Sequence, residues 1–234
     1  MEHDQHYSRT ANIAATILRA DEAQLLAWSN WMVDCTTLTT CNAATWLLPG
    51  AGRRMKAFHF IPGTNGFWCD IPDYNMRLRD LIGRAGDWIE LGIALHALQD
   101  SYSHQDFVGG FSKHNSGFAY ASWWRSVSPN FCHNDFVKLP DMYDAVWYDP
   151  RTELIVDNEK RFDAAAAYVR AVMKAPPRQT RVFPTVRYDD RKRKWEEEAG
   201  VQPFEDIHKD YWSKYGRKWQ KAAVRQRTFI LNSF

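Results

Sequence analysis

His96, Asp100 and His104 stand at i, i+4 and i+8 in the run that spans residues 91–105 (LGIALHALQDSYSHQ). Imidazole and carboxylate are the donors of zinc-type sites, and side chains on adjacent helical turns can grip one divalent ion. Four residues of helix advance the chain by about 6 Å and about 400°, so the three side chains share one face. Leu95, Leu98 and the small residues Gly92, Ala94 and Ala97 surround that face, which predicts an interior triad. A buried, unpaired carboxylate is costly and needs a cation or a full shell of hydrogen bonds. No Arg or Lys lies between Asp87 and Phe111, so a metal ion is the simplest counter-charge. The competing reading is three polar side chains on a solvated helix edge, since short His/Asp patterns recur by chance.

Further donors are spread along the chain in order. Asp4 and His6 begin a first helix, Asp34 ends a second, and His59 lies between Phe58 and Phe60. His133 and Asp135 fall in a long aromatic-rich loop, with Asp141 just beyond. His114 follows Gly109-Gly110 and is placed to bind metal or to face a substrate. Singly, each reads as a cap or a packed side chain. Together, donors from four or five elements have the composition of a multinuclear hydrolytic site.

The elements that must position these donors read as helices. Ile13, Ala14, Ile17 and Leu18 give a helical stripe within 4–19, and Asp21 reads as the cap of a helix ending near Asp34. Pro49-Gly50, Pro62-Gly63 and Pro72 punctuate 35–72, where Phe58-His59-Phe60-Ile61 looks extended. Asp73 is predicted to cap a third helix, and Asp87 a long one reaching about His104. Residues 117–126 read as helical and 127–153 as a long loop. Helices follow over roughly 157–174 and 204–231, flanking a basic, Pro-punctuated surface excursion at 175–203. The sequence shows no repeat and no convincing strands. The expectation is an all-α, single multi-helix domain over 1–234, with long loops around a buried metal cluster.

Composition sets outer bounds. Eleven Trp, ten Tyr and thirteen Phe imply thick aromatic packing between helices or a pocket walled by rings. The four cysteines show no C-x-x-C spacing and read as thiols, mostly buried. No apolar run is long enough to span a bilayer, and the polar N-terminus does not look like a signal peptide. The expected location is the cytosol, unless dedicated machinery exports the protein. Net charge is +2, with 11 Lys/Arg against 16 Asp/Glu over residues 1–150 and 19 against 12 over 151–234. A basic final third can attract phosphate-bearing ligands, although such a run is more commonly a solvated helix face.

The segment His-Ala-Leu-Gln-Asp-Ser-Tyr-Ser-His-Gln, with Phe-His-Phe upstream and His133…Pro140-Asp141 downstream, resembles an uncharacterised bacterial family. That family in turn is similar to the zinc-dependent phospholipases C and the related single-strand-specific nucleases. The likeness covers roughly residues 4–148 by motif. It implies two or three zinc ions, with His6 as an N-terminal ligand and Asp34, His59 and His96 around a central ion. It also implies a bridging Asp100, and a further ion on His104 and His133. Two departures stand out. The phospholipases use a processed amino terminus as a ligand, a role Asp4 would have to take here. They also carry a Glu four residues after the late histidine, where this chain has Val137. Asp135 or Asp141 would then complete that shell, or the third site is missing.

Other motifs are weaker. Glu205-x-x-His208 lacks the second copy that a di-iron site needs, and Gly50-Ala51-Gly52 is too short for a phosphate loop. The expected function is therefore zinc-dependent hydrolysis of a phosphoester, with Asp34 as candidate base by the resemblance. Its substrate would contain phosphate, with phospholipid and nucleic acid both open. The alternative is a non-enzymatic, metal-stabilised helical module that binds a protein or membrane partner.

Overall fold

The computed structural model describes residues 4–36, 38–39, 50–64, 69–107, 142–149, 152–174, 202 and 204–233. Among these, seven α-helices and one short hairpin form the architecture, and the all-α expectation holds at this level. The helices are α1 (Thr10–Ala15), α2 (Ala20–Trp31), α3 (Ala51–Phe58), α4 (Met76–Arg84), α5 (Trp88–Ser103), α6 (Asn158–Lys174) and α7 (Phe204–Leu231). The hairpin pairs β1 (Val146–Asp149) with β2 (Leu154–Asp157), antiparallel, with Trp147 opposite Val156.

Helix α5 is the axis of the fold and packs against α2, α3, α4, α6 and α7. Every residue from Leu91 to Ser103 is buried, as expected for a helix with apolar or small residues on all sides. Its start follows from Asp87, whose carboxylate accepts from the N–H groups of Ile89 and Glu90 at 2.9 and 3.0 Å. Its closest neighbour is α2, and Gly92 makes that approach feasible. A Cβ there would lie 2.5 Å from the Leu26 carbonyl oxygen and 2.8 Å from Ser29 Cβ. Helices α6 and α7 cover the axis with Phe162, Ala166, Val169, Met173, Trp219 and Ile230, all buried. Trp219 also donates its indole N–H to the Ser29 carbonyl at 3.0 Å.

Several local expectations are corrected. The first helix is a π-helical turn, Asp4–Arg9, followed by the short α1. Helix α2 starts after Arg19, so Asp21 lies in its first turn and is not the cap. Phe58 closes α3 and His59 is its C-terminal cap, so that run is not extended. Gly50 precedes α3 at φ +86°, a conformation glycine adopts without strain. Asp73 sits in a 3-10 turn, Pro72–Tyr74, and Asn75 caps α4 by accepting from Leu78 N–H. The hairpin lies at the end of the expected loop. It buries Trp147 and Val156 in a small second core with Phe60, Cys69 and Phe107. Cys35, by contrast, is exposed. The predicted helix at 117–126 and the excursion at 175–203 fall outside the described residues. No described helix is long and apolar enough to cross a membrane.

Candidate metal centre

Four separate elements deliver donors to one point. His6 comes from the turn Asp4–Arg9, Asp34 from the turns after α2, His59 from the cap of α3, and His96 and Asp100 from α5. The pair on α5 is one helical turn apart, as the i, i+4 spacing requires. His59 Nδ1 stands 2.8 Å from Asp100 Oδ2 and 3.1 Å from His96 Nε2. His96 Nε2 lies 3.3 Å from Asp100 Oδ2 and 3.5 Å from Asp34 Oδ1. His6 Nε2 is 3.2 Å from Asp100 Oδ1 and 3.9 Å from Asp34 Oδ2. The His6 and His96 rings stack with centroids 4.0 Å apart, and His59 meets His96 edge-on.

This donor set fits a divalent ion. Ligands about 2.0–2.2 Å from zinc at tetrahedral angles lie about 3.3–3.6 Å from one another, and the separations above bracket that range. Two overlapping groups satisfy the mutual spacing of a metal site, His6-Asp34-His96 and His59-His96-Asp100. Among the described residues, buried His/Asp clusters able to hold a metal ion are thus a property of the fold. The donor chemistry, imidazole with carboxylate, suits zinc and neighbouring transition metals.

Electrostatics agree. Burial alone would raise the Asp34 and Asp100 carboxyls, but facing imidazoles at Asp34, and the amino-terminal charge together with facing imidazoles at Asp100, outweigh it and hold both well below the ordinary range. Burial would lower His96, yet the charges of Asp34 and Asp100 push it up to about 9. His6, also buried and facing the His96 charge, is lowered to about 4. Without metal, the two carboxylates recruit a proton onto His96 as their counter-charge; a divalent cation would take its place.

His104 lies at the end of α5, buried, with Nδ1 3.8 Å from Asp100 Oδ1 and its ring 4.9 Å from that of Phe60. It therefore approaches the Asp100 oxygen that faces His6, while the other Asp100 oxygen faces His59 and His96. Asp4 opens the turn that carries His6. His114, His133, Asp135 and Asp141 lie outside the described residues. Sequence reasoning missed Thr10, Asn30 and Gln99, buried polar side chains directly behind His6 and His96. A signal existed: Gln99 is one turn beyond His96, and Asn30 precedes Asp34 by four residues.

Fold and site together define a mainly helical protein built around a buried His/Asp cluster. The chain belongs to the Family of unknown function (DUF6765), whose model matches residues 51–232 and so spans His59, His96, Asp100 and His104. No curated protein and no solved structure matches the chain.

Proposed function

We propose that this protein is a metal-dependent hydrolase of phosphoester bonds and that its ion is zinc. One observation carries the reading. Four donors of the cluster are at least nine-tenths buried, whereas the Asp34 side chain keeps about a quarter of its surface exposed (25%), so the cluster opens toward solvent on the Asp34 side. A bound ion would supply Lewis acidity that makes water nucleophilic near neutral pH and would stabilise charge on a phosphoryl group. His6, His59, His96 and Asp100 would hold the ion. Asp34, ionised and at the solvent edge, accepts the proton of the attacking water. The Asp100 oxygen that faces His6 also approaches His104 at 3.8 Å, and these two residues would be the start of any second ion site. The basic final third favours anionic substrates.

A second reading, a metal-stabilised binding module, is favoured by the donor count. His6, His59, His96 and Asp100 already suffice to close a tetrahedral shell, the mark of a structural site. The test is zinc-loaded full-length protein on a panel of a chromogenic phosphodiester, phosphatidylcholine micelles and single-stranded DNA and RNA. Zinc-dependent turnover that Asp34→Asn reduces by at least ~100-fold is expected. A single stoichiometric ion with no exchangeable water, seen in the spectrum of cobalt-substituted protein, would overturn the hydrolase reading.

A further inference from the structure

Behind the donors lies a buried chain of three polar side chains, Thr10 on α1, Asn30 on α2 and Gln99 on α5, each no more than 3% exposed. Gln99 Nε2 donates to Thr10 Oγ1 at 2.9 Å, which turns its Oε1 toward His6 Nδ1 at 3.1 Å. Asn30 Nδ2 donates to the same Gln99 oxygen at 2.7 Å, which turns Asn30 Oδ1 toward His96 Nδ1 at 3.3 Å. A carbonyl oxygen can only accept, so each of these ring nitrogens must carry a proton. In a neutral imidazole the other nitrogen then holds the free lone pair.

We propose that Thr10, Asn30 and Gln99 form an amide relay that fixes His6 and His96 together as Nδ1–H tautomers and aims both Nε2 lone pairs at the metal. Neither amide can reverse alone, because the contact between Asn30 and Gln99 would then set two oxygens or two NH2 groups against each other. Reversing both preserves every distance but exchanges every role, and it puts both ring protons on Nε2, where they block the ion. Thr10 decides between the two states. Its oxygen lies 2.9 Å from Gln99 Nε2 and 3.5 Å from Asn30 Nδ2 and has lone pairs for both donors. Reversed, two carbonyl oxygens would compete for its one proton. His59 stands apart from the relay and turns Nδ1, not Nε2, toward the cluster. Thr10, Asn30 and Gln99 are therefore positioning residues, acting through the histidines they orient.

The relay rests on the metal reading of the cluster and is independent of the reaction the metal serves. The test uses full-length protein with 15N-labelled histidine, titrated with Zn2+ alone and read by long-range 1H–15N NMR. His6 and His96 are expected to ligate through Nε2 with a slowly exchanging Nδ1 proton, and His59 through Nδ1. Asn30→Leu removes the partner of His96 and releases Gln99, whereas Gln99→Leu removes the partner of His6 and releases Asn30, so each disturbs both rings. Each should lower zinc affinity roughly 10–100-fold. Thr10→Val, nearly isosteric and so expected to fold, should lower it in the same direction, and Thr10→Ser should restore it. Ligation of His6 or His96 through Nδ1 would overturn the relay. So would wild-type zinc affinity in both Thr10→Val and Asn30→Leu. A wild-type protein that takes up no zinc overturns the metal reading beneath it, a distinct result.

Discussion

Removing the metal should lower the melting temperature without unfolding the protein at room temperature. The donors lie on four elements, and His6 and Asp100 are 94 residues apart, so the site exists only in the native chain. An ion that binds only the native state stabilises it by about 4 kcal/mol when its free concentration is a thousandfold above Kd. In a chain of this length each kcal/mol moves the melting temperature by about 2–4 °C, which gives a fall of about 8–16 °C. The metal-free fold is expected to persist because Asp100 keeps His59 as a hydrogen-bond partner at 2.8 Å and faces the protonated His96 ring at 3.3 Å. Circular dichroism melts before and after chelation, with elemental analysis of each sample and zinc added back, make the measurement. An unchanged curve in protein shown to have lost its metal would refute the link between cluster and ion.

Two substitutions separate site from scaffold. His208→Ala should keep the full zinc content and cost about 1 kcal/mol of stability. The ring packs near Phe204 and Trp212 and accepts from Trp28 Nε1 at 3.4 Å, away from the donors; metal loss equal to that of His96→Ala, in elemental analysis, would show a wrong ligand set. Gly92→Ala should destabilise the fold by about 1–3 kcal/mol and weaken zinc binding. The added methyl meets α2 backbone and pushes Asn30 and Asp34 away from His96; a denaturant midpoint and zinc affinity equal to wild type would refute the tight α2–α5 contact.

What the sequence discloses differs by residue. The α5 triad is legible because one helix fixes the relative position of its residues, and Asp87 announces that helix by its side-chain cap. His59 is legible as a donor but not in its setting. The eight residues of α3, Ala51–Phe58, are too few for a clear helical period, so its cap looks like extended chain. Asn75 loses to Asp73 as the expected cap because Pro72 sets a 3-10 turn first, a competition decided by backbone geometry that residue type alone does not reveal. The hairpin escapes because Val146-Trp147-Tyr148-Asp149 lacks clean alternation of polar and apolar residues. Thr10, Asn30 and Gln99 escape for a different reason. Amide and hydroxyl groups are common on helix surfaces, and only the convergence of α1, α2 and α5 makes these three a buried network.

The two metal-spaced groups would share one ion. Both contain His96, and its Nε2 has a single lone pair, so His6-Asp34-His96 and His59-His96-Asp100 cannot each hold a separate ion. They are two views of one five-donor centre. Five donors exceed a tetrahedral shell, so for water to enter one of them would have to yield and the water would join the remaining four as a fifth ligand. Asp34 is the donor placed to do so. Its oxygens stand 3.5–3.9 Å from the ring nitrogens, whereas Asp100 makes its imidazole contacts to His59, His6 and His96 at 2.8–3.3 Å. It is also the one member of the five with substantial solvent exposure. Placed on a turn after α2 rather than inside a helix, it has the freedom to leave the shell that Asp100, fixed within α5, does not have. The same displacement that opens a coordination position would free a carboxylate beside the incoming water, and this is why the hydrolase and the closed structural site differ chiefly in what Asp34 does.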